Sequence, residues 1–476
     1  MRGAGTTELS APRLLSGEIG SVRAGGAIHM FESPKDARNR LRDGEFVAGK
    51  IQSSQGKGGD ALRVFVTGGG SGGHVIPNLP IISRLKADGW KVYYLGSKDG
   101  IERGIICAAG VEFFPIECGK FRRYWSIKNV TEPFRLMFGL AQALILFSEL
   151  RPHVVFSKGG YVTVPVVIAA WLCRVPLILH ESDITPGLAN RFAARFAKVI
   201  CTTFEETREL FARTSRSQAR VTGMPLRESI SRGDPEQGRS LCGFDESCPV
   251  LLIMGGSLGS DRVNEVVEAA LPRLISSYQV VHLTGKGKKL KLAQEVSRYK
   301  RFEFSEDIHH LLAMANVVVS RAGATAIIEL LAARKLNILL PLSADSGRGE
   351  QIENANYCTQ KAVSCVVYDE HLSGERIAET VPQVLADRER YSIALKQLNI
   401  EDGTEEICAL VAMLAWNKDK TLERVPRGGN RDGELPIERS ADARGCRHEP
   451  VPLGTLGSSL SHAYVFANRF LRHRNH

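Results

Sequence analysis

The stretch VFVTGGGSGGHVIP, residues 64–77, decides how the rest of the chain is read. An apolar run with strand character leads into five glycines and a serine, then a single histidine, His74, and the start of a helical pattern. Gly68, Gly70 and Gly73 satisfy GxGxxG between a strand and a helix, the context of a dinucleotide fingerprint. That fingerprint also needs an acidic residue at the end of the second strand to hold a ribose. Here the second strand ends Tyr94-Leu95-Gly96-Ser97, and Asp99 comes only beyond the turn. A Walker-type phosphate loop is equally incomplete, because His74 and Val75 stand where lysine and a hydroxyl residue belong. What remains is a turn rich in accessible N–H groups at a helix start, a place that favours negative charge, with His74 at its mouth.

Outward from this loop, short apolar runs alternate with helical stretches as in βαβ units. Strands are predicted at 62–68, 91–96, 112–117, 153–159, 176–182, 198–203 and 220–223, with helices at 77–89 and 101–110. After a Gly/Asp/Pro-rich break at 232–248 the alternation restarts, with strands at 249–257, 278–285, 316–323, 337–342 and 364–370. The predicted fold class is α/β, two doubly wound, Rossmann-like domains facing each other across a cleft. The expected domains are 61–227 and 248–400, with a helix at 401–418 returning to the first. The flanks 1–60 and 419–476, rich in Gly and Arg, are expected to be disordered extensions.

Composition narrows the partners without choosing one. The chain has 476 residues, ordinary apolar and charged content (43% and 24%) and a net charge of +10, which favours an anionic partner. Ten cysteines without a CxxC pair read as free thiols in a reducing compartment, not as a metal or disulfide framework. No secretory signal is evident, and no run is expected to reach the length of a membrane span, since the apolar run 136–150 is interrupted by Gln142, Ser148 and Glu149.

The second half carries its own small-residue loop, GGSLGS at 255–260, again between a strand and a helix. Two such loops, one opening each half, point to one ligand held between domains. Ser320-Arg321-Ala322-Gly323 closes another strand ahead of a helix bearing Glu329. Arg321 suits a phosphate or a plain surface position, and Glu329 suits a ribose diol or a solvated helix face.

Taken together, GGGSGGHVIP, SKGGYVTVP, LHESDITPGLAN, GGSLGS, SRAGATAIIEL and GEQIENA resemble, in order and spacing, the MurG family. These are the UDP-N-acetylglucosamine:N-acetylmuramyl-(pentapeptide) pyrophosphoryl-undecaprenol N-acetylglucosamine transferases, and the resemblance covers about residues 62 to 415. It implies a GT-B fold and inverting transfer of GlcNAc from UDP-GlcNAc to lipid I, giving lipid II, with no metal and no cofactor. It also implies that Gly70, Ser71, Gly72 and Gly73 face the acceptor pyrophosphate, with His74 as general base on the acceptor C4 hydroxyl. Tyr161 and Asp183 fall on the acceptor side. Ser257, Arg227 and Arg321 fall to the donor nucleotide, Glu329 to its ribose, and Gln351 and Asn354 to its sugar. Asp183, Met224 and Glu350 depart from the family pattern, in which amide side chains are frequent; Met224 is therefore left out of the site.

A lipid-linked acceptor requires work at a membrane face. GKFRRYWSIKN (119–129) mixes Lys120, Arg122, Arg123 and Lys128 with Phe121, Tyr124 and Trp125, and the apolar FRLMFGLAQALILF (134–147) follows. Basic and aromatic residues beside an apolar helix fit peripheral binding to the anionic cytoplasmic face of the membrane. Cell-wall synthesis proteins are further expected partners, whereas no motif supports nucleic acid. The alternatives are a related transferase acting on another lipid such as diacylglycerol, and a catalytically silent sugar-nucleotide sensor.

Overall fold

The computed structural model describes residues 61–119, 128–215, 217–256, 258–288, 298–343 and 349–423. Within these residues the chain builds two parallel sheets. The first contains β1 (Arg63–Thr67), β2 (Lys91–Ser97), β3 (Glu112–Ile116), β4 (Val154–Ser157), β5 (Leu177–Glu181), β6 (Val199–Thr202) and β7 (Gln218–Val221). Its order is β3-β2-β1-β4-β5-β6-β7. The second contains β8 (Val250–Met254), β9 (Gln279–Leu283), β10 (Tyr299–Phe302), β11 (Val317–Arg321), β12 (Leu336–Leu340) and β13 (Cys365–Val366), ordered β10-β9-β8-β11-β12-β13.

Strands buried on both faces explain the near-continuous apolar runs: Val64, Phe65 and Val66 are fully buried in β1, as are Val318 and Val319 in β11. Helices cover both faces of each sheet. In each sheet the strand order reverses once, between β1 and β4 in the first and between β8 and β11 in the second. A crevice opens at the carboxyl ends of the strands at such a switch point, and open α/β sheets bind ligands there. The loops following β1 and β8 are the two glycine loops.

The domains are embedded in one another. The helix Thr404–Glu423 packs Ile407, Val411 and Ala415 into the first domain's core beside Val64, Val66 and Ile81. In return Phe204 and Met224 of the first domain are buried in the core of the second, among Leu252, Ile327 and Cys358. Met224 thus has a packing role, and the polar contacts asked of that position are absent.

Three elements differ from the sequence expectation. The edge strand β10, YKRF, was not anticipated, because its Lys300 and Arg301 break the apolar run. The last strand shrinks from the predicted 364–370 to Cys365–Val366. The break at 232–248 contains a helix, Pro235–Cys242. Asp234 caps it by accepting from the Glu236 and Gln237 N–H groups, Pro235 opens it and Gly243 closes it at φ 68°. Those start and stop signals were present in the sequence.

Candidate active site

The first glycine loop is held from below by groups that fit only glycine. A Cβ on Gly68 would stand 2.3 Å from the His74 carbonyl oxygen, and one on Gly160 would stand 2.2 Å from the Gly69 carbonyl oxygen. Tyr94 Oη donates to the Gly68 carbonyl at 2.6 Å, and Asn78 Nδ2 donates to Tyr94 Oη and to the His74 carbonyl, each at 3.0 Å. The buried carboxylate of Glu102 accepts from Ser97 N at 3.0 Å, from Ser97 Oγ, and from Gly70 N at 3.5 Å. Gly70 takes φ 84° and lies against the Tyr161 ring. Burial, then the Glu102 charge, raises the pKa of the Tyr161 phenol.

At the loop's edge, in the short turn Gly72–His74, Ser71 Oγ and His74 Nδ1 are 2.8 Å apart. Across the cleft Thr325 Oγ1 donates to the Gly73 carbonyl at 3.4 Å, so the second domain's helix Ala324–Ala332 faces this loop.

The second glycine loop is built around its side-chain partners. Ser260 caps the helix Asp261–Leu274 by accepting from Val263 N, and its Oγ also accepts from Arg321 Nη2 at 3.0 Å. The other arm of Arg321, Nη1, donates to the Leu340 carbonyl at 3.1 Å and to Asp369 Oδ1 at 3.2 Å. Behind the helix, Asn264 binds the Thr284 carbonyl and His282. Burial, then Arg301, holds the His282 imidazole at about 4.

Between the domains Arg227 and Glu329 form a two-pronged pair, Nε–Oε1 and Nη2–Oε2 both at 2.9 Å. Burial raises the Glu329 pKa while Arg227 pulls it down. Asn354, 1% exposed, uses its whole amide: Oδ1 accepts from Ile184 N at 3.0 Å, and Nδ2 donates to Asp183 Oδ1 at 3.0 Å and the Ala322 carbonyl at 3.2 Å. Beside this clasp a cavity of 270 Å³ is lined by Thr185, Pro186, Leu188, Arg191, Glu350 and Glu353.

Residues 64–202 match the glycosyltransferase family 28 N-terminal domain and residues 250–407 its C-terminal domain. The UDP-N-acetylglucosamine--N-acetylmuramyl-(pentapeptide) pyrophosphoryl-undecaprenol N-acetylglucosamine transferase of Clostridium perfringens (strain SM101 / Type A) is 43% identical over 350 residues. That alignment spans 73% of this chain and 97% of the relative. The protein of the same name from Legionella pneumophila (strain Paris) is 42% identical over 365 residues, 76% of this chain and 98% of its own. Among solved structures, Acinetobacter baumannii MurG shares the fold at a TM-score of 0.57 and 22% identity, covering 74% of this chain and all of that one. The calicheamicin glycosyltransferase CalG4 does so at a TM-score of 0.56 and 15% identity, over 77% of this chain and all of its own.

This chain belongs to the MurG family. It is a glycosyltransferase of family 28 with two parallel α/β domains of GT-B type.

Seen as a MurG-family site, the predicted residues divide into groups. Gly70, Ser71, Gly72, Gly73, His74 and Tyr161 gather at the first switch point. Arg227 and Glu329 meet each other. Gln351 Oε1 accepts from Leu342 N at 3.1 Å, next to the second domain's β12. Arg321 is not a surface arginine, since it is buried and bonded to Ser260 and Asp369. Asp183 and Asn354, assigned to opposite substrates, are bonded to each other. Ser257 lies outside the described residues.

Sequence reading did not single out Glu102 and Lys158, both buried against the first loop, and placed His180 and Glu181 only as part of the HESD segment on the acceptor side. The signal was faint: charges set directly beside glycines or inside an apolar strand end. Among the described residues one group has metal-ligand proximity, Asp307, His309 and His310. There His310 Nδ1 accepts from Asp234 N at 2.9 Å, so its proton sits on Nε2 and the ring braces the helix Pro235–Cys242.

Proposed function

We propose that this protein transfers N-acetylglucosamine from UDP-N-acetylglucosamine to the C4 hydroxyl of N-acetylmuramic acid in undecaprenyl-pyrophosphoryl-MurNAc-pentapeptide, with inversion. The observation carrying this reading is the facing pair of switch points, one loop edged by a histidine and the other opening a fourteen-residue helix. Both lie in a chain matching transferases of that name over nearly their whole length.

In this reading the acceptor diphosphate lies on the N–H groups of Gly70–Gly73, and the muramyl C4 hydroxyl approaches His74. With Nδ1–H donating to Ser71 Oγ, the Nε2 lone pair takes the hydroxyl proton as the oxygen attacks the anomeric carbon. The C1–O bond to UDP breaks on the opposite face. UDP departs onto the Gly255–Ser260 turn and the helix start, where fixed N–H dipoles stabilise its charge. Arg321 supports that turn from behind through Ser260. The Arg227–Glu329 pair presents carboxylate oxygens to the ribose, and the Gln351 amide donors face the donor sugar.

Membrane attachment through the helix Lys128–Leu150 belongs to the same proposal. Ala143 and Phe147 anchor it in the core, while Phe134 is 73% exposed, Met137 64% and Phe138 50%. Contrary to the sequence expectation, 131–150 is by length and composition long and apolar enough to cross a membrane, because the helix extends N-terminal to the apolar run. Its packing against the helix Val164–Leu172 favours lying on the surface instead. The basic and aromatic residues at 120–127 lie outside the described residues.

The deciding experiment incubates the full chain with labelled UDP-GlcNAc and either a short-chain lipid I analogue or diacylglycerol. Label on the muramyl C4 position of the analogue is expected. Label on diacylglycerol alone would assign a different acceptor.

A further inference from the structure

We propose that Lys158 is a positioning residue whose ammonium seats the 181–187 loop, one of the segments that fasten the two domains together. The inference rests on transfer taking place across the interdomain cleft.

Lys158 follows β4 directly beneath the glycine loop, its Cβ 3.1 Å from where a Gly68 side chain would begin. It is 1% exposed, and two of its three hydrogens go to neutral acceptors, His180 Nδ1 at 2.9 Å and Ser182 Oγ. An ammonium only donates, so His180 Nδ1 must accept. His180 Nε2 then carries the proton and donates to the Gly223 carbonyl at 2.9 Å, at the crossover between domains. Both partners thereby dictate one neutral tautomer. Burial and the neighbouring Lys158 hold the imidazole well below its ordinary pKa.

The loop above is organised by one carboxylate. Glu181 accepts from Ser182 N at 2.8 Å, from Asp183 N and Gly187 N at 3.0 Å each, and from Asn190 Nδ2 at 2.9 Å. That arrangement delivers Asp183 and Ile184 to Asn354 of the other domain. Two negative charges, Glu181 and Asp183, are thus concentrated in a low-dielectric place, and Lys158 is a cation that feels both. The titratable groups facing it from β5, the following loop and β6 are His180, Glu181, Asp183 and Cys201.

Burial pulls the ammonium down to about 8, with Glu181 and Asp183 opposing. Between that value and its ordinary 10.5 the folded chain has released a proton the unfolded chain keeps, so stability rises with pH there. The clasp, in contrast, loses its counter-charge. Rate and stability should therefore move in opposite directions above pH 8, a signature that a merely structural lysine would not give.

The test follows kcat, KM and thermal unfolding from pH 6.5 to 9.5 for the parent, Lys158→Met and Ser182→Ala. The parent should show a falling limb of kcat near pH 8 with no loss of Tm. Lys158→Met should lower kcat at pH 7 by about tenfold, the scale of losing a charged hydrogen-bond donor, and abolish that limb. Ser182→Ala, which removes one acceptor, should move the limb to lower pH. A Lys158→Met enzyme that keeps the parent rate, or keeps the limb, overturns the proposal. Should that variant fail to fold, an unmoved limb in Ser182→Ala overturns it. Nitrogen-15 histidine spectra of the parent, recorded without substrate, must show His180 protonated on Nε2 only; any other form refutes the network even if no transfer to lipid I is ever seen.

Discussion

The two glycine loops occupy equivalent places, each at the reversal point of a parallel sheet, yet they are supported in opposite ways. The first is packed from beneath by backbone and by Tyr94, Asn78 and Glu102, which leaves Ser71 and His74 paired at its edge. In the second, Ser260 turns inward as a helix cap and is held by the buried Arg321. A loop braced through its glycines keeps side chains available for proton transfer. A loop braced through its side chains offers a ligand chiefly backbone N–H groups and a helix dipole. The first arrangement suits chemistry and the second suits holding a leaving group.

That contrast is most directly broken by changes that should separate rate from binding. His74→Ala is expected to lower kcat by about 100-fold or more, the range of a lost general base, with UDP affinity unchanged. Labelled GlcNAc transfer together with UDP calorimetry measures both. A variant within about threefold of the parent rate would remove His74 from the reaction and erase the difference between the loops.

Arg321→Met should act the other way. It strands the Asp369 carboxylate, 19% exposed, and unties Ser260, for a loss of about 3 kcal/mol in stability and about tenfold or more in UDP affinity. Adding Asp369→Asn removes the stranded charge, so denaturant unfolding should recover while UDP affinity does not. Recovery of both would make Arg321 purely a packing residue.

Much of this division was legible in the sequence, and the unread part has a common physical cause. The alternation of apolar runs, the missing ribose carboxylate and the repeated small-residue loop led to two α/β domains with loops at their openings. Each of those signals lies within a few residues of its effect. The fate of Arg321 depended on Ser260 and Asp369, 61 and 48 residues away, and that of Asn354 on Asp183, 171 residues away. Arg321 at a strand end reads as a phosphate contact, and the family resemblance makes Asn354 a sugar contact, until their tertiary partners are known. The buried charges Glu102 and Lys158 escaped for a related reason, since a charge is tolerated inside only by partners that other segments of the fold supply.

Asn354→Ala sharpens the picture at intermediate size, because the clasp ties Asp183 and Ile184 of the first domain to the helix Glu350–Gln360 of the second. Losing three hydrogen bonds of a buried amide should lower stability by about 2 kcal/mol and reduce kcat more than it changes UDP affinity. Were donor affinity to fall while kcat held, Asn354 would be a donor contact after all, and the clasp a feature of the empty cleft.

The smallest expected effect falls on Ser71, and it tests whether the first loop does more than carry the histidine. Ser71→Ala deletes the 2.8 Å partner of His74 Nδ1 without touching the glycines. A single neutral hydrogen bond contributes about 1 kcal/mol, so kcat should fall roughly fivefold, with KM for both substrates nearly constant. The acid limb of the pH–rate profile should shift as well, because in the proposed mechanism His74 Nδ1–H donates to Ser71 and that bond raises the basicity of Nε2. If the rate falls but the limb stays, Ser71 meets the acceptor instead of orienting the base. The first loop would then bind through a side chain too, and its contrast with the second would reduce to His74 alone.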